Sequence, residues 1–339
     1  MIFDSAISKL IKKEDISPEE MSWSIEAVIS GDLKTPDIES FLKLLREKGE
    51  AADEIAAAAA VMRRHAVKFS RQYPEALDTC GTGGDAKNTL NVSTLSALVA
   101  CAAGVKVAKH GNRSVSGVCG SADLLEMLGM KIDLSAASAE KCLNQTGFSF
   151  LFAPLFHPAV KHATQARKNI QGKTLFNLLG PLTNPLGVKR QLLGVYSREL
   201  VEKMADVLRR LGLERALVVH GSDGLDEISI SDSTYTAEIA GGKIKTSFLA
   251  PEAVELKRRD LSEIHCPAKS ENLKKAHEVF QGVPGAALDI VCLNAAATLF
   301  IAEKSASVPE GFKLAKETIS SGVAAKKLEE IVKFTKATA

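Results

Sequence analysis

The stretch from Leu77 to Thr94 constrains this chain more than any other. It sets Gly81, Gly83 and Gly84 within four positions and surrounds them with Asp78, Thr79, Thr82 and Asp85. Such a loop reaches backbone angles closed to other residues and lets a ligand approach the main chain closely. Asn91, Val92, Ser93 and Thr94 follow, and then the apolar run Leu95 to Ala103. This reads as a helix start with hydroxyl and amide side chains on its first turn. Free N–H groups and the positive end of the helix dipole there favour a phosphate. The loop is neither the dinucleotide G-x-G-x-x-G nor a P-loop ending in Gly-Lys-Ser/Thr, and alone it reads equally as a tight strand-to-helix turn.

A second polar cluster follows shortly after. The apolar Val105 to Ala108 reads as a short strand, ending in Lys109, His110, Gly111, Asn112, Arg113 and Ser114. Strand ends of α/β sheets are where ligands bind. The third constellation is Asp226 and Glu227, inside the loop from Gly221 and after the strand Arg215–His220. Two adjacent carboxylates suit a hard divalent cation such as magnesium, which prefers oxygen ligands and bridges to substrate phosphates. By spacing alone a solvated acidic turn is the favoured reading of the pair.

Taken together, these stretches resemble the anthranilate phosphoribosyltransferases of tryptophan biosynthesis. The resemblance continues through Phe152-Ala153-Pro154, His157-Pro158-Ala159, Arg167, the run Asn177 to Pro185, His220-Gly221 and Gly224 to Glu227. It implies transfer of a 5-phosphoribosyl group from phosphoribosyl pyrophosphate to the amine of anthranilate, with pyrophosphate leaving. It implies that Gly81, Gly84, Asp85, Thr89, Asn91, Val92, Ser93 and Thr94 contact the donor. Lys109, His110, Gly111, Asn112, Arg113, Ser114, Val115, Ser116, Gly117 and Ser121 would close over its phosphates. Gly81, Asn112 and Arg167 would hold anthranilate, Arg167 through its carboxylate. Ser93, Asp226 and Glu227 would hold magnesium, two ions per subunit. No residue is expected to act as general base, because an aromatic amine is already neutral at pH 7. His110 reads as either a substrate contact or loop support. Val118-Cys119-Gly120 and Thr164-Gln165-Ala166 depart from the commoner family form. The nearest rival is a pyrimidine nucleoside phosphorylase of the same fold, which lacks the Asp226–Glu227 pair and the Asn112–Arg113 combination. A noncatalytic nucleic-acid-binding paralogue is the rival from another class.

The expected fold class is α/β, a small all-helical N-terminal domain followed by a larger domain with a central sheet flanked by helices. Residues 1–72 read as four helices. Ser17-Pro18 with Glu20 gives an N-cap, a first-turn proline and a capping box. Thr35-Pro36 repeats the cap signal, and an alanine tract runs from Ala56 to Ala60. From residue 73 the pattern alternates short apolar runs with helices, the α/β signature. Ser121 and Ser138 read as helix caps, Asn177 to Pro185 as a loop, and 235–249 as a hairpin around Gly241-Gly242. Ala287–Lys304 and Phe312–Phe334 read as helices apolar on one face. The resemblance implies that 156–186 returns to pack on the N-terminal helices. It also implies a homodimer through them, and the apolar face of the first helix, Ile7 and Leu10 included, is expected between subunits.

Composition excludes little but agrees. The chain has 339 residues, 45% hydrophobic and 25% charged, with net charge +2. That balance gives no electrostatic case for nucleic acid or a membrane surface, and no run approaches the roughly 20 apolar residues of a membrane span. The six cysteines, Cys80, Cys101, Cys119, Cys142, Cys266 and Cys292, form no C-x-x-C pair. With no secretory signal they read as the reduced thiols of a cytoplasmic protein.

Overall fold

The structure, a computed structural model, describes residues 2–114 and 117–338. Four helices open it: α1 (Ile2–Ile11), α2 (Pro18–Ser30), α3 (Thr35–Lys48) and α4 (Ala52–His65). Their boundaries follow from local chemistry. Ser17 accepts from the Glu20 amide while Glu20 accepts from the Ser17 amide, closing the expected capping box on α2. Thr35 is the first residue of α3 rather than its cap; Lys34 holds that place without a side-chain bond. Glu54 begins α4 by accepting from the Ala51 amide, and the same buried carboxylate takes the Ile16 amide and the Lys48 ammonium. Leu10 is buried against its own chain, contrary to the expectation that it faces a partner. Its helical neighbours Phe3 and Ile7 are half-buried and Ile11 is 64% exposed.

The α/β part runs β1 (Leu77–Gly81), α5 (Val92–Ala102), β2 (Val107–Gly111), α6 (Ser121–Met127), α7 (Ala136–Thr146), β3 (Phe148–Phe152) and α8 (Ala153–Phe156). A 3-10 turn at Pro158–Ala163 leads to α9 (Thr164–Asn169) and α10 (Leu175–Leu182). The chain continues through β4 (Arg190–Gly194), α11 (Glu199–Arg210), β5 (Arg215–Gly221), β6 (Thr234–Ala240) and β7 (Lys243–Leu249). It closes with α12 (Lys269–Phe280), α13 (Ala286–Ile301), α14 (Val308–Ser320) and α15 (Val323–Ala337).

Several local expectations are corrected here. Asn177–Leu182 is helical rather than a loop, because Leu175, Phe176, Leu178, Leu179 and Leu182 are buried at helical spacing and Asn177 caps the start by accepting from the Thr174 amide. Pro181 cannot donate to Asn177 O, and the helix stops one residue beyond it. Ser135, not Ser138, caps α7, and α6 starts at Ser121 with Asp123 accepting from the Gly120 amide. α13 is buried on nearly every side rather than apolar on one face, and the last stretch is two helices parted at Gly322, which has φ +76°.

The seven strands order as β3-β2-β1-β4-β5-β6-β7. β3 through β5 are parallel, and β6 and β7 are antiparallel, joined by the expected two-glycine hairpin turn. The strand order reverses between β1 and β4, and at such a reversal the loops leaving the strand ends diverge and open a crevice. One core packs α5, α13 and α14 on one face of the sheet. A second joins α1–α4, α9 and α10 to α11 and the opposite sheet face at Leu193, Val195 and Val218, and a third packs α7 against β2 and β3 at Ala108 and Leu151.

Candidate active site

The crevice at this reversal is built from the ends of β1, β4 and β5. Past β1, Gly83 and Gly84 take φ +63° and +80°, and Ala86 and Asn88 are also left-handed at +59° and +49°. Non-glycine residues rarely hold such angles unless their surroundings impose them. Both ends of the loop are fixed. The Thr82 amide donates to Gly194 O at 2.9 Å, and Thr82 Oγ1 accepts from the Tyr196 amide at 3.1 Å. At the far end the Cys266 amide donates to Asn88 O, and the Leu90 amide to Ile264 O. Gly83 and Gly84, between these anchors, are exposed.

Asp226 enters the crevice only because its neighbours lack side chains. A Cβ at Gly194 would lie 1.6 Å from Asp226 O, and one at Gly81 would lie 2.7 Å from Asp226 Oδ2. That same oxygen accepts from the Gly83 amide at 3.0 Å. The adjacent Glu227 accepts from the Ser93 amide at 3.0 Å, so a carboxylate stands at the N-terminus of α5, where the helix dipole favours negative charge. Thr79 Oγ1 donates to Ser93 O. Burial, then Asp85, raises the pKa of Asp226; burial, then Asp226, raises that of Glu227, with Lys109 pulling it back. Carboxylates crowded this way gain from a cation that relieves their repulsion. The donor set of Asp226, Glu227 and the Ser93 hydroxyl is all oxygen, which fits magnesium. Among the described residues no group of three His, Cys, Asp or Glu side chains is placed to hold a metal ion; magnesium retains several waters and needs only one or two carboxylates.

Lys109 and His110 lie on β2 itself, not after it. Lys109 is buried, its ammonium donating to Thr79 O and, at 3.3 Å, to Ser93 Oγ. Burial lowers its pKa against the pull of Asp78. Asp78 is fully buried, accepting from the His110 amide at 3.2 Å and from Asn184 Nδ2 at 2.8 Å. Burial raises it to about 6, with Lys109 holding it down. Burial, then His157, pushes His110 down to about 3, so its ring is neutral. His110 Nδ1 lies 3.1 Å from Gly180 O and carries the proton, because a carbonyl can only accept. Among the described residues Nε2 is a buried acceptor without a partner. Asn91 Oδ1 and Thr94 Oγ1 at the start of α5 are likewise buried and, among the described residues, unpartnered.

The segment after β2 folds into a separate knot. Asn112 O accepts from Ser121 Oγ, and Asn112 Oδ1 from the Arg113 amide. Arg113 makes a two-pronged pair with Glu126 and also reaches Asp123, so its charge is engaged within the knot. Ser114 Oγ bonds both the amide and the carbonyl of Gly117. Val115 and Ser116 lie outside the described residues. Asn91 Nδ2, donating to Cys119 O at 3.2 Å, ties the knot to α5. Thr89 is bridged to His265, and Val92 is buried in the sheet-side core.

Arg167, in the last turn of α9, is half-buried, with its guanidinium 5.1 Å from the centre of the Phe176 ring. Burial lowers its pKa, and among the described residues no carboxylate pairs with it. The structure thus gathers Gly81 to Thr94, Lys109, Asp226 and Glu227 into one crevice. Asp78, Asn184, Tyr196 and Lys173 belong to its surroundings and were not among the expected site residues. Asp78 alone stood beside the glycine motif; the other three join through contacts more than 80 positions away.

Two family models match the chain: a glycosyl transferase helical bundle domain over residues 4–66 and a glycosyl transferase a/b domain over residues 73–325. The anthranilate phosphoribosyltransferase of Petrotoga mobilis is 46% identical, over 98% of this chain and 97% of that protein. The crystal structure of the Thermus thermophilus enzyme of that name is 41% identical with a TM-score of 0.91, covering 98% of this chain and 99% of the other. The Saccharomyces cerevisiae enzyme in complex with PRPP and Mg is 29% identical with a TM-score of 0.90, covering 99% and 98%.

Proposed function

The chain belongs to the anthranilate phosphoribosyltransferase family, and from that premise we propose that its crevice transfers the 5-phosphoribosyl group of phosphoribosyl pyrophosphate to the amine of anthranilate, releasing pyrophosphate. The observation that carries this reading is the convergence, at the reversal of strand order, of a left-handed glycine loop, the N-terminus of α5, buried Lys109 and the Asp226–Glu227 pair. Each element answers to a donor that is polyanionic at one end. Gly81, Gly84, Asp85, Thr89, Asn91, Val92, Ser93 and Thr94 bind and orient the donor. Lys109 to Gly117 and Ser121 close over its phosphates, which requires Arg113 to leave or share its pair with Glu126. Gly81, Asn112 and Arg167 hold anthranilate.

Charge develops on the departing pyrophosphate as the bond to the anomeric carbon breaks. The glycine loop and the first turn of α5 stand where that charge would develop, and the Gly83 and Ser93 amides would neutralise it by exchanging Asp226 and Glu227 for the leaving group. Ser93, Asp226 and Glu227 would hold magnesium, two ions per subunit, and magnesium supplies further neutralisation of that leaving group. The acceptor amine needs no strong base. The neutral His110, whose Nε2 only accepts, agrees with that. Positioning of the two substrates therefore supplies most of the rate.

We further take residues 1–72 with 156–186 as one helical unit and the remainder as the donor-binding unit. In support, the 3-10 turn, α9 and α10 pack against α2, α3 and α4. We also propose a cytoplasmic homodimer joined through the helical unit. No described helix is long and apolar enough to cross a membrane. The test is direct: anthranilate fluorescence should fall on adding enzyme, magnesium and phosphoribosyl pyrophosphate, and stay constant if any one is omitted. Constant fluorescence in the complete mixture, with release of base from a pyrimidine nucleoside and phosphate, would overturn the reading.

A further inference from the structure

Lys173 stands on the strand-free segment between α9 and α10, yet its side chain ends at the glycine loop. Gly172 before it takes φ +102°, and Arg46 of α3 donates to the carbonyls of Gln171 at 2.9 Å and Lys173 at 3.5 Å. The backbone is thereby fixed to the helical unit. From there the side chain crosses to the other side of the crevice. Its Cε would lie 2.8 Å from a Cβ at position 84, so it occupies the space that Gly84 leaves open. Its ammonium stands 3.3 Å from the centre of the Tyr196 ring, and the Tyr196 amide is bonded to Thr82 of the same loop. Burial lowers its pKa, with Asp226 and then Asp85 near enough to pull it back up. Even so, among the described residues the ammonium has no ion-pair partner and no hydrogen-bond acceptor. A half-buried cation resting on an aromatic face, beside the glycine loop, lacks the anion that would satisfy it.

We infer that Lys173 is a donor-binding cation carried across the crevice by the helical unit, contacting the pyrophosphate of the donor above Gly84. This rests on the transferase reading given above. Pyrophosphate is favoured over the donor's 5-phosphate because Lys173 stands beside Asp85 and Asp226, where the carboxylates would hold the metal that pyrophosphate shares. Since Lys173 is fixed to α3 while the loop belongs to the sheet, its contact links donor binding to closure of the two units.

The test uses the full-length enzyme with magnesium and two neutral variants, Lys173→Gln and Lys173→Met, the second keeping the stem over Gly84. Each is compared with Lys173→Arg by calorimetry with inorganic pyrophosphate and with ribose 5-phosphate, and by steady-state kinetics; melting curves verify the fold. Both neutral variants should bind pyrophosphate, and show a KM for the donor, about ten- to a hundredfold worse, the loss expected for a charge-assisted hydrogen bond. Ribose 5-phosphate affinity and the KM for anthranilate should not change, and Lys173→Arg should recover most of the loss. Unchanged pyrophosphate affinity in a folded neutral variant, or a loss that falls on ribose 5-phosphate instead, overturns the inference. Failure of the wild type itself to bind pyrophosphate overturns the transferase reading as well, so the two failures are distinguishable.

Discussion

Gly83 has φ +63° and open space where a side chain would stand, so any substitution there acts through the backbone and not through a clash. A left-handed angle costs an ordinary L-residue roughly 1–2 kcal/mol, and a β-branched residue more. Gly83→Val is expected to abolish donor binding with the fold intact, and Gly83→Asn, which tolerates the angle, to retain part of it. Calorimetric titration with phosphoribosyl pyrophosphate decides this, and wild-type affinity in the valine variant would remove the loop from the donor site. Arg167 calls for a different measurement. It is half-buried over Phe176 with no carboxylate partner among the described residues. A hydrogen bond to a charged group contributes about 1.5–3 kcal/mol, so Arg167→Ala should lower kcat/KM for anthranilate roughly ten- to a hundredfold. Aniline, which lacks the carboxylate, should react poorly with wild type and lose little further. Equal losses for both acceptors would return Arg167 to a structural role. Both residues were visible in the sequence because glycine clustering and motif matches are local. The bonds from Gly83 to Asp226 and from Ser93 to Glu227 were not, since they join positions more than 130 apart and depend on strand order.

Local chemistry made most elements legible, and its failures have identifiable causes. The box expected at Ser17 is a pair of short-range bonds and it formed, and the bond from the Gly49 amide to Leu45 O that closes α3 is equally local. The run Asn177 to Pro185 misleads because glycine and proline mark turns in isolation, whereas burial of five apolar side chains made most of it α10. In α13, the lack of a polar face reflects packing by α5, α12 and α14, which no window of sequence displays. The start of α4 offers the sharpest test at this scale. Glu54 is fully buried and accepts from two backbone amides and Lys48. Removing it would leave the Ile16 and Ala51 amides without that acceptor and Lys48 with Asp15 alone, at a cost of about 3–5 kcal/mol. Glu54→Ala should therefore lower the melting temperature sharply, with kcat/KM of the remaining folded enzyme little changed. Surface carboxylates such as Glu14 should show no such effect. An unshifted melting curve for Glu54→Ala would mean that α4 is held by its apolar face alone.

At the scale of the whole molecule, the helical unit is where a partner would bind. α1 buries Ala6 and Leu10 against its own chain, which leaves Phe3, Ile7 and Ile11 one turn apart on another face. Phe3 packs its ring 6.2 Å from that of Trp23, itself 41% exposed. An apolar stripe of this kind, continued onto a second helix, is uncommon on a monomer and suits a self-complementary two-fold contact. Ile7→Glu with Ile11→Glu places two charges on the stripe and leaves Leu10 in its core position. On the proposed dimer the wild type should run at twice the mass of one 36.1 kDa chain, and the double variant is expected to stay folded and run at the single-chain mass. Light scattering at micromolar protein, with melting curves on both, makes the measurement. Leu10→Glu serves as the contrast: buried in its own chain, it should unfold the helical unit instead of separating subunits. A wild type already at single-chain mass, or a double variant that keeps the doubled mass, would show that this stripe joins no subunits.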